Sequence, residues 1–184
     1  KPSSAASDVY KRQALGEQIR SLVLEPEHAP VDPRTEALLF AASRSAHVQR
    51  TLLPALREGI TVLTDRYLDS SVAYQGAARE LGTQTVRDLN LWAVDGLLPD
   101  LTVLLDVPEE TGRARRAERA ADRMEQEPAP FHEEVRQAFL ELARQAPQRY
   151  LVLQADAPVE ELAAQIRERV LDLLAQRASG GQRS

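Results

Sequence analysis

Residues 61–76, TVLTDRYLDSSVAYQG, carry the pattern on which the fold prediction rests. Residues 60–64 form a short, mostly apolar run after Gly59, and such a run with β-branched side chains predicts a buried strand. The run ends at Asp65 and Arg66, where an α/β sheet opens its ligand crevice. A carboxylate beside a guanidinium at that edge predicts a polar binding site. The alternative is a surface ion pair at the end of a strand.

Three hydrogen-bonding side chains follow this edge: Ser71, Tyr74 and Gln75. Spacings of three and four residues place side chains on one face of a helix. We therefore expect all three to point toward one side, next to Asp65 and Arg66.

Two more apolar runs, residues 101–107 (LTVLLDV) and 150–154 (YLVLQ), predict strands, and the first is expected to be buried on both faces. Long stretches with helical periodicity separate the runs. Strands that alternate with helices predict an α/β fold with a parallel sheet flanked by helices. Three strands are few for such a sheet, which usually has four to six.

Proline and glycine mark the boundaries of the second predicted helix. Asp32 followed by Pro33 is typical of a helix start, with a capping carboxylate and proline in the first turn. Gly59 is the expected end. Pro54 lies inside the pattern and predicts a kink or break near residues 50–51, because proline cannot donate a helical hydrogen bond.

Composition excludes several kinds of site. The chain has 184 residues, a net charge of −5 and no cysteine, so thiol chemistry and disulfides are excluded, and a nucleic-acid-binding surface is not expected. The three histidines lack the spacing of a zinc site. No apolar run approaches the ~20 residues of a membrane span. These features predict a single-domain, cytoplasmic protein that binds no membrane.

Phe40 and Arg44 are four residues apart and therefore share a helix face. A ring beside a guanidinium suits a flat heterocycle, because the ring stacks on it and the guanidinium donates to an exocyclic oxygen. The alternative is a core phenylalanine beside a solvated helix charge.

Arginines also recur at steps of four at Arg115, Arg119 and Arg123. Like charges at that spacing repel in a bare helix, so the pattern favours an anionic ligand such as a polyphosphate. Nearby acidic residues on a solvated face are the alternative explanation. Asp106, at the end of the second predicted strand, is either a magnesium-sphere or loop-holding carboxylate or a cap of the next helix.

Taken together, these segments resemble bacterial thymidylate kinases. The segments that carry the resemblance come in the order ALGEQIRSLVL, LLFAASR, TDRYLDSSVAYQG, LPDLTVLLDV, ADRMEQE and FHEEVRQAFLELA. The resemblance implies a kinase-like domain over residues 14–177, with a lid at about 113–130. Residues 1–13 fall outside the match, and residues 178–184 are expected to form a flexible tail.

The resemblance implies a P-loop nucleoside monophosphate kinase fold and a homodimer. It also implies transfer of the γ-phosphate of ATP, with Mg²⁺, to dTMP, giving dTDP and ADP for dTTP biosynthesis. In the base pocket, Phe40 would stack on thymine and Arg44 would reach its 4-oxo group. Ser71 and Gln75 would read the pyrimidine edge, and Tyr74 would close on the deoxyribose.

The resemblance assigns charged residues to the phosphates. Arg66 would neutralise charge at the phosphate acceptor, beside Asp65, which is also a candidate magnesium ligand. Arg20 would contribute to the dTMP pocket. The lid would lie over ATP, and its arginines would stabilise the phosphate that is being transferred. These lid arginines are Arg115, Arg119 and Arg123.

The sequence departs from the family at its start. The family opens with a strand, a GxxxxGK[ST] phosphate loop, a helix and a second strand, and none of these is present. We expect a truncated coding region with residues 1–13 foreign or mistranslated, and a chain that binds dTMP weakly without turnover. Two alternatives remain open: another nucleotide or deoxynucleoside kinase, and a non-catalytic nucleotide-binding fragment.

Overall fold

The computed structural model describes residues 14–25, 30–116 and 123–180, and helices dominate these ranges. No helix of this described part is both long and apolar enough to cross a membrane. In chain order the elements are α1 (Ala14–Leu24), α2 (Pro33–His47), the π-helix Val48–Leu52, α3 (Leu53–Arg57), α4 (Leu68–Ser71), the π-helix Val72–Ala78, α5 (Thr83–Ala93), β1 (Thr102–Asp106), α6 (Glu109–Arg116), α7 (Ala129–Gln145), β2 (Tyr150–Gln154) and α8 (Val159–Gly180).

The described sheet has two parallel strands, β1 and β2, in register from Thr102 opposite Tyr150 to Asp106 opposite Gln154. The predicted α/β class with a parallel sheet is confirmed. Burial of β1 on both faces is wrong. Side chains alternate along a strand, so Leu104 packs against the core while Leu105 is 50% exposed on the other face.

The strand predicted at residues 60–64 is also wrong. This segment is extended but forms only a single bridge position at Leu63, whose side chain is 72% exposed. Only Val62 packs partly against the core. An apolar, β-branched run forms a strand only where a neighbouring strand pairs with its N–H and C=O groups, and the described sheet consists of β1 and β2. Asp65 and Arg66 therefore follow an extended segment and not a sheet strand.

The predicted boundaries around α2 are confirmed. Asp32 caps its start, because the Oδ1 atom of Asp32 accepts hydrogen bonds from the N–H groups of Arg34 and Thr35, each at 3.0 Å. The expected irregularity before Pro54 is the π-helix Val48–Leu52. Its wider turn accommodates a proline, which has no backbone N–H group to donate. Gly59 follows the end of α3 with a φ of 74°, a conformation that glycine adopts without strain.

Two hydrophobic clusters hold residues 68–78 in place. The larger cluster joins Leu68 and Val72 to side chains of the first π-helix, of α7 and of β2. The smaller one packs Ala73 against Met124 and Phe131. The start of the second π-helix is thus anchored on two sides by buried apolar contacts, which stabilise its geometry.

The last helix is long, and the fifth helix carries an exposed aromatic side chain. Helix α8 continues through Gly180, and residues 181–184 lie outside the described residues, so the flexible tail expected at 178–184 stays a prediction. On α5, Trp92 is the single tryptophan of the chain, and its side chain is 80% exposed.

Candidate functional site

One face of α2 carries three residues spaced four apart: Glu36, Phe40 and Arg44. With a rise of 1.5 Å per residue, the first and last lie about 12 Å apart along the helix. Glu36 is fully buried, whereas Phe40 and Arg44 are half-buried. Helix α2 packs against α5 and against the π-helix Val72–Ala78. The phenylalanine therefore lies between two charged groups on a face that meets other elements.

The Arg44 end of this face is fixed by α5. One guanidinium nitrogen of Arg44 donates to Oδ1 of Asn90, whose own amide nitrogen donates to the carbonyl of Val86 at 2.8 Å. The guanidinium also lies 6.0 Å from the centre of the Tyr67 ring. Burial lowers the pKa of Arg44 to about 10, so the group keeps its charge at neutral pH. The Arg44 side chain is therefore oriented by Asn90 and Tyr67, and it is not a freely solvated helix charge.

The Glu36 end meets the second π-helix. The side-chain Nε2 of Gln75 donates to Oε1 of Glu36 at 2.8 Å. The other carboxylate oxygen of Glu36 accepts from Arg79, at 3.5 Å, and from Arg123. The sequence patterns did not point to Glu36 and Arg79. The available signal was spacing, since Glu36 comes four residues before Phe40 and Arg79 four residues after Gln75.

Ser71, Tyr74 and Gln75 do not all face one side, contrary to expectation. Ser71 and Gln75 are buried, and Gln75 reaches α2. The Tyr74 ring instead packs edge-on against Phe131 and Phe139 of α7, with centroids 6.0 and 6.5 Å apart. The reason is helix geometry, because consecutive residues such as Tyr74 and Gln75 point about 100° apart at 3.6 residues per turn.

Arg66 adopts a rare backbone conformation next to this site. Its φ is 65°, in the left-handed region that is uncommon for residues other than glycine and that clusters at functional sites. The guanidinium of Arg66 lies 5.3 Å from the centre of the Tyr74 ring. Asp65 and Arg66 are both exposed. The following Tyr67 is held by a hydrogen bond from its hydroxyl to the carbonyl of Leu97 at 3.1 Å.

Among Arg20 and the three predicted lid arginines, only Arg123 has a described side chain. Its Nε donates to the carbonyl of Val23 at 2.7 Å, and a second nitrogen pairs with Glu36. Arg119 and the side chains of Arg20 and Arg115 lie outside the described residues. Arg123 therefore contacts α1 and α2, and its expected position over ATP stays a prediction.

Asp106 is neither a helix cap nor an open metal ligand. Its two oxygens accept hydrogen bonds from Arg136 of α7 at 2.7 and 2.9 Å. These hydrogen bonds from Arg136 hold the pKa of Asp106 below its ordinary value of 3.8. Within residues 14–25, 30–116 and 123–180, no group of three or more histidines and carboxylates could hold a metal ion.

Replacing Asp106 with asparagine should flatten the acid dependence of stability. Because the folded-state pKa of Asp106 is depressed, its stabilisation is present above about pH 3.8 and is lost as the pH falls through the lower, folded value. Circular-dichroism melts between about pH 6 and pH 3 would measure this for both proteins. Glu133→Gln, which removes a longer contact to Arg136, is the matched control. An unchanged slope in Asp106→Asn would contradict the assignment.

Comparisons with known proteins cover the part of the chain that contains this site. The sequence model of the family described as thymidylate kinase matches residues 11–166. A thymidylate kinase of Clavibacter sepedonicus is 54% identical over 167 residues, covering 90% of this chain and 79% of the relative. One from Leifsonia xyli is 55% identical over 158 residues, covering 85% and 74%. One from Limosilactobacillus fermentum is 47% identical over 177 residues, covering 90% and 82%.

These matches include α2, the segment with Asp65 and Arg66, and both strands of the sheet, and they confirm the resemblance seen in the sequence. The identities are high and extend over most of each relative's length. The chain therefore belongs to the thymidylate kinase family, a family of phosphotransferases.

Proposed function

We propose that this chain forms the dTMP-binding part of a thymidylate kinase, which transfers the γ-phosphate of ATP to dTMP and yields dTDP and ADP. The observation that carries the proposal is the face of α2 on which Phe40 lies between a fixed Arg44 and a Gln75 bound to Glu36. Such a face offers a flat ring with polar groups on either side, which suits a pyrimidine.

The base would be read by direct hydrogen bonds. Phe40 stacks on thymine, while Arg44, already oriented by Asn90, donates to the 4-oxo group. Ser71, at the end of α4, and Gln75, on the second π-helix, read the remaining polar edge. Tyr74 closes on the deoxyribose, in keeping with its half-buried position.

The phosphate end would lie near Arg66. Phosphoryl transfer is catalysed mainly by positioning and charge neutralisation, and an exposed guanidinium held over Tyr74 supplies both at the acceptor. Asp65 is the exposed carboxylate that would hold Mg²⁺, which neutralises phosphate charge when bound. Asp106 does not fit that task, because both of its oxygens are bonded to Arg136. The lid arginines, Arg115, Arg119 and Arg123, would face ATP.

The proposal also covers the compartment, the oligomeric state and the binding partners of the protein. We infer a cytoplasmic homodimer that binds neither membranes nor nucleic acid. The net charge of −5 supports the last point, because nucleic-acid surfaces are usually basic. The comparisons support the thymidylate kinase assignment and give no support to a kinase for another nucleotide or to a non-catalytic fragment.

Calorimetric titration of the purified chain with dTMP, dUMP and thymidine tests the proposal. We expect dTMP to bind most tightly, since thymidine lacks the phosphate for Arg66 and dUMP lacks the thymine methyl group. A parallel assay of ADP release from Mg·ATP, with and without dTMP, reports turnover. Equal affinity for dTMP and thymidine would contradict the assigned phosphate end, and no binding of any of the three would contradict the proposal.

A further inference from the structure

We propose that Glu36 is a positioning residue that fixes the side-chain amide of Gln75 with its carbonyl oxygen toward the pyrimidine. The pocket then accepts a base with an N3–H donor and rejects cytosine, whose N3 is an acceptor. This inference rests on the proposed function, because it assumes that the pocket binds dTMP.

Burial and contact geometry single out Glu36. It is fully buried on α2, and its two oxygens contact three different side chains: Gln75, Arg79 and Arg123. A buried carboxylate is costly unless it is paired and hydrogen-bonded. Two guanidinium groups offset the charge here, so the carboxylate can remain a pure acceptor inside the protein.

A pure acceptor determines which end of a neighbouring amide it binds. An ionised carboxylate has no hydrogen to donate, whereas an amide has an NH₂ donor at one end and a carbonyl acceptor at the other. Only the NH₂ group of Gln75 can therefore bond to Glu36, as the 2.8 Å contact shows. The carbonyl oxygen of Gln75 must lie at the opposite end of the amide.

This orientation carries information about the base. Thymine presents a donor at N3 and an acceptor at its 4-oxo group, while cytosine presents an acceptor at N3 and a donor at its 4-amino group. A carbonyl from Gln75 and a donor from Arg44 match thymine at both positions. A rotated Gln75 would present NH₂ instead and would match N3 of cytosine. Glu36 prevents that rotation.

Glu36 also links the base pocket to the segment after residue 122. Arg123 joins Glu36 to the carbonyl of Val23, and Arg79 bridges Glu36 and Glu127. The guanidinium of Arg79 lies 4.9 Å from the centre of the Phe131 ring, which holds it in place. The carboxylate is thus held from several sides and cannot swing away from Gln75.

The test compares binding of dTMP and 5-methyl-dCMP, which share the ring methyl group and differ in the groups at N3 and C4. In Glu36→Gln, residue 36 can face Gln75 with either end of its amide. The preference for dTMP over 5-methyl-dCMP should therefore fall by about tenfold relative to wild type. Glu127→Gln is the matched control, because it removes the other carboxylate of Arg79 without contacting Gln75, and its preference should stay unchanged.

A double-mutant cycle separates positioning from general damage. If Glu36 acts through Gln75, then adding Glu36→Gln to Gln75→Ala should not reduce the dTMP preference further. A full additional loss in that background, or an unchanged preference in Glu36→Gln alone, would overturn the inference. Failure of the wild-type chain to bind dTMP would instead overturn the proposed function.

A measurement on the unmodified chain covers the case in which Glu36→Gln does not fold. The side-chain NH₂ resonances of Gln75 can be identified in an isotope-labelled sample by their loss in Gln75→Ala. Because this group faces Glu36, its protons should exchange slowly with solvent and should keep that protection when dTMP binds. Loss of protection on dTMP binding would show that the nitrogen turns toward the ligand, which overturns the inference.

Discussion

Replacing Arg44 with alanine should weaken dTMP binding about a hundredfold, because one charged hydrogen bond to the 4-oxo group contributes up to about 3 kcal/mol. The change also leaves the side-chain oxygen of Asn90 without this donor. Titration calorimetry measures the affinity, and thermal melting followed by circular dichroism measures the accompanying change in stability.

The comparison between binding and stability decides the role of Arg44. Arg50→Ala is the matched control, because Arg50 is an exposed arginine six residues further along the same run of helix. It should alter neither quantity. If Arg44→Ala lowers binding and stability in equal measure, the residue is structural, and its assigned contact with thymine is wrong.

Asp69→Asn should lower the free energy of unfolding by about 3 kcal/mol, because removing one member of a buried ion pair leaves the other charge unpaired. Asp69 is 4% exposed and accepts hydrogen bonds from Arg149 at 2.6 and 3.1 Å. Arg149 in turn lies 4.7 Å from the centre of the Tyr150 ring, at the start of β2. Asparagine keeps the shape of the side chain and removes its charge.

Urea unfolding followed by circular dichroism would measure this loss. Glu141→Gln removes an exposed pair with Arg144 and serves as the control, with an expected cost below about 1 kcal/mol. A similar cost for the two variants would mean that the pair between Asp69 of α4 and Arg149 contributes no more to stability than an exposed pair does.

The features that sequence predicted correctly depend on local interactions. Asp32 caps α2 through N–H groups two and three residues ahead, and Pro54 disturbs the helix within its own turn. Both effects act between near neighbours, so a single sequence contains them. The run at residues 60–64 could not be judged in this way, because a strand needs a partner that its own residues do not specify.

In the candidate site, too, local features were predicted correctly and features that depend on distant residues were not. The spacing of Phe40 and Arg44 placed them on one face of α2, as the structure has them. Local patterns did not point to Glu36 and Arg79, because their pairing joins residues 43 positions apart in the chain. Tyr74 and Gln75 meet different helices, α7 and α2, and spacing within one segment does not specify which neighbour each side chain contacts.

The exposure of Trp92 gives the chain an intrinsic optical probe of its surface. An indole that is already surrounded by water emits at long wavelength, so its fluorescence should change little when the core unfolds. The emission should shift toward shorter wavelength when another molecule covers that side of α5. Since Trp92 is the only tryptophan, emission spectra recorded over a series of protein concentrations would report self-association at this helix without any added label.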